Sequence, residues 1–144
     1  LKWTLTPMNK KERKIKFLEI HLKIYRIAVV VFIGATKKEI MQVANKRGVT
    51  ITEKWGKDFD EVYNDTRANG FCMELGDDNC DLLVYLKKFP RKASEYGTLY
   101  HELWHATYEI IKSRNLWKEE ESPAFIYEYL ATECNRNFWG KKKF

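Results

Sequence analysis

Between residues 14 and 33 apolar and β-branched side chains crowd together without the three-to-four spacing of a helix or a clean alternation that would leave one face wet. The pattern predicts two strands, 14–24 and 27–33, joined as a hairpin near Tyr25 and Arg26, with Gly34 ending the second. From Thr36 the period turns helical. Thr36 is placed as an N-cap with Glu39 three residues on; Ile40, Val43 and Ala44 follow at helical spacing, and Gly48 closes the segment. Residues 49–69 are polar, with Trp55, Phe59, Val62 and Tyr63 as scattered anchors, and read as irregular.

Asn69-Gly70 introduces two short strands, 71–75 and Leu82–Leu86, around the turn-forming run Gly76-Asp77-Asp78-Asn79, which predicts a second hairpin. After Phe89-Pro90-Arg91-Lys92, Ser94 precedes a stretch poor in helix breakers that runs to about Ser113. Leu99, Leu103, Ala106 and Ile110 give that helix an apolar face to lay on a sheet. Ser122-Pro123, with Pro suited to a first helical turn, opens a last helix to about Phe138. The order is strand, strand, helix, strand, strand, helix, helix, and the expected class is α+β in a single domain over 1–144.

Composition narrows this picture. At 144 residues, 44% hydrophobic and 32% charged, the chain has the make-up of a soluble globular domain. Its longest apolar run, Ile27 to Ile33, is far too short to cross a bilayer, so no membrane partner is expected. The opening residues hold no apolar stretch with a small-residue cleavage site, and three cysteines without a C-x-x-C pair favour a reducing, cytoplasmic setting. Cys72 and Cys80 flank a turn and are the pair that oxidation would join, although buried free thiols are the commoner outcome. The net charge of +6 raises nucleic acid as a partner, but the excess collects near the ends, in Lys2, residues 10–16 and Lys141 to Lys143. Solvated tails explain it better. Residues 1–13 are accordingly expected to form a flexible basic tail, with residues 1–7, ahead of Met8, adding little to the fold.

The chemistry gathers at His101-Glu102-Leu103-Trp104-His105, which takes two of the three histidines in the chain. Residues four apart share one helix face, so His101 and His105 can reach one metal ion. Glu102, beside them, is free to hold a water whose pKa zinc would lower, and to take its proton as a carbonyl is attacked. A catalytic zinc needs a third protein ligand and one open position. The spacing HExxHxxGxxH is absent, because Tyr108 and Ile111 stand where it requires Gly and His, and His21 is in the first hairpin. Downstream carboxylates Glu119, Glu120, Glu121 and Glu128 are the better candidates. Tyr108, three residues beyond His105, is a candidate oxyanion donor, with Tyr100 and Tyr127 as alternatives, though core tyrosines are commoner. Glu128 and Glu133 are candidates to orient a ligand histidine.

With HExxH and the segment Glu121-Ser122-Pro123-Ala124-Phe125-Ile126-Tyr127 in view, the chain resembles the gluzincin metallopeptidases, especially small phage-type members and the ImmA/IrrE-related group. The resemblance covers mainly residues 70–135, and only HExxH is highly specific. It implies a minimal zincin-like domain, with a small, mostly antiparallel sheet packed on the HExxH helix, a preceding helix and a C-terminal helix. It implies Glu121 as the third zinc ligand, with Glu120 and Glu128 left open by the run of glutamates, Ala124 letting the helices approach, and Phe125 or Tyr127 packing inward. The approach through Ser94 to Tyr100 is similar to a strand and short loop leading into the metal helix.

The expected function is zinc-dependent hydrolysis of a peptide or protein substrate, aligned by strand addition to an edge strand at Leu82–Leu86, with Glu102 as general base. The alternative is a non-catalytic zinc-binding phage or mobile-element protein that binds protein or nucleic acid, motivated by the basic termini.

Overall fold

A computed structural model describes residues 2–6, 15–76 and 80–139, with side chains from residue 17 onward. The fold is α+β. Strands β1 (Lys2–Thr6), β2 (Ile15–Leu22), β3 (Ile27–Ile33), β4 (Gly70–Glu74) and β5 (Leu82–Leu86) make one sheet in the order β1-β2-β3-β5-β4. All neighbours are antiparallel except β3 and β5, which run parallel. The helices are α1 (Lys37–Lys46), α2 (Glu53–Tyr63), α3 (Ala93–Ser113) and α4 (Glu121–Trp139).

Both faces of the sheet are covered. Leu18, Ile20, Val29, Val31, Val84 and Leu86 pack on α3 and α4, while Val30, Phe32, Leu83 and Tyr85 pack on α1 and α2. Burial on both sides is why β3 and β5 are apolar at every position. The parallel step from β3 to β5 needs a long crossover, and α1 and α2 supply it across one face.

The first hairpin forms as its pattern predicts, closed by a short 3-10 turn at Lys23–Tyr25 and by Arg26 in the left-handed region at φ 55°. The Arg114 guanidinium, just past α3, donates to the carbonyls of Tyr25 (2.7 Å) and Arg26 (3.4 Å) and ties that turn down. The start of α1 is the capping box expected of Thr36 and Glu39. The Glu39 N–H donates to Thr36 Oγ1 (3.2 Å), and the Thr36 N–H donates to Glu39 Oε1 (2.7 Å).

Several expectations need correction. Residues 53–63, expected to be irregular, form α2: Thr52 caps it, and Trp55, Phe59 and Tyr63 stack at 5.3 Å along one face. Residues 2–6 of the supposed basic tail form β1 against β2, because a paired edge satisfies backbone groups that a free tail leaves to water. The basic runs at 10–14 and 141–143 and the turn at 77–79 lie outside the described residues. Helix α4 begins two residues before Pro123, which takes the third helical position, where its missing N–H still forfeits no intrahelical bond. Leu82–Leu86 is not an edge strand. It lies between β3 and β4, and β4 is the edge.

Candidate metal centre

Helix α3 carries the HExxH residues across the face of the sheet. Leu99, Leu103, Ala106 and Ile110 are fully buried beneath it, which turns His101, Trp104, His105 and Tyr108 outward. Residues 94–100, likened to a strand and loop, already belong to the helix, which has Lys92 as its N-cap and runs on through Gly97. The two imidazoles converge: Nε2 of His101 stands 3.1 Å from Nε2 of His105, with the rings edge to face at 4.6 Å. Two nitrogens bound tetrahedrally to zinc at about 2.0–2.1 Å stand about 3.3 Å apart. The pair therefore fits two positions of a zinc site.

Glu102 lies on the side of α3 toward β4 and is only 7% exposed. No described residue donates a hydrogen bond to it. Burial raises its pKa above the ordinary glutamate range, against the opposing pull of His101 and His105. Its carboxylate is not sealed in the core but opens on the cleft beside β4. It is chemically useful beside a histidine pair.

Between α3 and β4 runs an open cleft of about 450 Å³, lined by the whole of β4 and by Glu102, His105 and Glu109. Gly70 lets β4 lie close against β5. A Cβ there would meet the Tyr85 carbonyl oxygen at 2.6 Å, Leu86 Cδ2 at 2.9 Å and, on α3, Thr98 Cγ2 at 3.4 Å. At the far end of β4 the indole N–H of Trp55 donates to the Glu74 carbonyl (2.8 Å), so α2 also fixes the strand. Cys72 packs with the α3 side of the core, whereas Phe71 and Met73 face α1 and α2; alternation then puts Glu74 on the α3 side. Burial and the charges of Glu102 and Glu109 push the Cys72 thiol up, which keeps it protonated.

No family model, curated protein or solved structure matches this chain. The reading of the site rests on its own residues.

Among the described residues no third His, Cys, Asp or Glu joins the histidine pair in a group that could hold a metal. Glu121 is the first residue of α4; it is exposed, as are Glu119, Glu120 and Glu128. Helix α4 reaches the site through Tyr127, whose ring meets Trp104 edge to face at 5.5 Å, and burial raises the Tyr127 pKa. Phe125, expected to pack inward, is 58% exposed and stacks on Tyr129, and Ala124 is exposed as well. The face of α4 that meets the sheet is instead Ile126, Leu130 and Cys134.

Tyr108 stands on the exposed face, edge to face with Trp117 at 5.3 Å. The Tyr100 hydroxyl is committed to Asn135 (2.8 Å). Glu133 does not orient a histidine: it is buried and accepts from Arg136 (3.2 Å) and Asn137 (3.3 Å) on its own helix. His21 pairs with Glu19 at 3.2 Å. All three cysteines are free, and β4 places Cys72 opposite Val84 rather than Cys80. The sequence reading missed Glu109 and Glu74. Glu109 was within its reach, being one helical turn beyond His105.

Proposed function

We propose that the chain is a zincin-like, gluzincin-type zinc metallopeptidase, in which His101 and His105 are two metal ligands, Glu121 is the third and Glu102 is the general base. The observation that carries this reading is the convergence of the two Nε2 atoms at 3.1 Å beside a buried carboxylate with no donor. Zinc in such a site supplies Lewis acidity that acidifies water and polarises a carbonyl. The chain's own residues do the rest. Glu102, made more basic by burial, takes the proton of the attacking water and hands it to the departing amine. The free edge of β4 offers backbone N–H and C=O groups to an extended peptide, which crosses the cleft with its carbonyl near the histidine pair. Tyr108, three residues beyond His105 on the exposed face, is the candidate donor for the oxygen of that carbonyl.

No described helix is long and apolar enough to cross a membrane. The proposed substrate is a peptide or an unfolded protein segment, because strand addition requires an extended chain. The test compares the wild type with Glu102→Gln on a library of fluorogenic peptides, with zinc measured in each. Retained zinc with cleavage reduced about 10²–10⁴-fold is expected. Equal cleavage by both proteins overturns the mechanism.

A further inference from the structure

The cleft holds two carboxylates, Glu109 and Glu74, that catalysis does not use. Glu102, His105 and Glu109 follow one another at helical spacing of three and four along the side of α3 that faces β4, and all three line the cleft. Glu74 stands at the end of β4, on the strand face shared with Cys72. The electrostatic influence of both Glu102 and Glu109 on Cys72 places the two carboxylates around the same stretch of strand. The second pointer to a ligand is Glu102 itself, more than nine-tenths buried, lining the cleft and bonded to no described donor. Lys112 approaches Glu109 only at 3.9 Å, across an exposed i,i+3 pair, and such pairs contribute little. Glu109 is thus available to a cation arriving from solution.

Resting on the peptidase reading, we propose that Glu109, helped by Glu74, is a specificity-determining residue that selects a substrate bearing a lysine or arginine side chain within two residues of the scissile bond. The spacing sets the distance. Glu109 lies one turn beyond His105, about 6 Å along the helix axis. An extended peptide advances about 3.4 Å per residue, so two residues cover nearly the same span. Gly70 meets Thr98 at the other end of β4, so strand and helix run in the same sense, and Glu74 and Glu109 fall together at one end of the cleft. A guanidinium there meets two carboxylates, which an acidic side chain avoids.

The test uses zinc-loaded Glu102→Gln protein, which retains the cleft without turning substrate over, and fluorescein-labelled decapeptides. The peptides differ only in carrying Arg, Gln or Glu within two residues of a central Ala-Phe. Fluorescence anisotropy should show the Arg peptide binding at least tenfold more tightly than the Gln peptide. Adding Glu109→Gln should bring the two within about threefold, and Glu109→Lys should favour the Glu peptide. Equal binding of Arg and Gln peptides, a preference that survives Glu109→Gln, or no binding at all overturns the inference. Turnover by the wild type separates the two ideas. Cleavage without an Arg preference sinks the specificity inference and leaves the peptidase reading standing; Arg-selective binding without cleavage does the reverse.

Discussion

Nε2 of His105 lies 3.1 Å from Nε2 of His101, and Glu102, next to His101 in sequence, lines the cleft beside β4 together with His105. One helical segment thus brings donor and base to one cleft: His105 and Glu102 both line it, and the carboxylate is the more deeply buried of the two. Replacing either histidine by alanine should remove half of the bidentate grip, weakening zinc binding by more than the 10–100-fold typical of outer partners. Competition against a chromophoric chelator measures this, and a single-histidine variant that still holds zinc at wild-type affinity would dismiss the pair as ligands.

The third ligand is tested by the same competition on Glu120→Ala, Glu121→Ala and Glu128→Ala. Helix α4 starts at Glu121 and meets α3 through Tyr127 on Trp104, and the proposed third ligand would come from its first turn. Loss of Glu121 should weaken zinc at least tenfold, while the other two should change it less than about threefold. If Glu128→Ala alone carries the loss, the ligand lies two turns further along α4.

Glu102 makes a linkage prediction for protein stripped of metal by chelator. Burial raises its folded pKa above the unfolded value, so the folded state holds the proton more tightly. Stability then falls as pH rises from the ordinary glutamate range through the folded pKa, and is flat above it. Glu102→Gln lacks this fall and should be more stable than wild type at neutral pH by about 1–3 kcal/mol, the range for a buried group without a partner. The advantage should vanish near pH 4, where both carboxyl states are protonated, and melting curves across that interval check it. A constant difference at every pH would mean that the substitution acts through packing instead.

Much of the site was readable locally because a helix places residues four apart on one face by geometry alone, and His101 and His105 obey it. The capping box at Thr36 and the two hairpins were readable for the same reason: every participating residue is close in sequence. Sheet order is not local. Which of β4 and β5 pairs with β3 is decided by crossover length and by cover from α1 and α2. One cue lay in the strands themselves, since LLVYL is apolar throughout, as an inner strand is, and GFCME is mixed. Helix α2 was hidden by charge and by Gly56, yet Trp55, Phe59 and Val62 carry the four-then-three spacing of a buried stripe.

Gly70 tests whether the edge strand must keep its close pairing with β5 to wall the cleft. In Gly70→Ala the new Cβ would press at 2.6 Å on the Tyr85 carbonyl oxygen, a backbone atom that cannot yield without displacing the ladder between β4 and β5. A loss of about 1–3 kcal/mol in chemical denaturation is expected, as for other overpacked sites. The same variant should bind cleft peptides more weakly while keeping its zinc, because the histidines stand on α3 and not on the strand. Unchanged peptide affinity would show that β4 does not form the binding edge.

The covering of the second sheet face by α2 is tested at Phe59, which is fully buried, stacks on Trp55 and Tyr63 at 5.3 Å each, and meets Phe71 edge to face at 5.9 Å. Phe59→Ala should cost about 3–5 kcal/mol, the range for emptying a packed aromatic site. Phe71 belongs to β4, and Trp55 holds the Glu74 carbonyl, so the loss is transmitted to the strand that walls the cleft. The protein that remains folded should therefore bind zinc normally but show weakened selection of arginine peptides. A Phe59→Ala protein as stable as wild type would mean that α2 does not pack on the sheet, and the fixed position of β4 would then need another explanation.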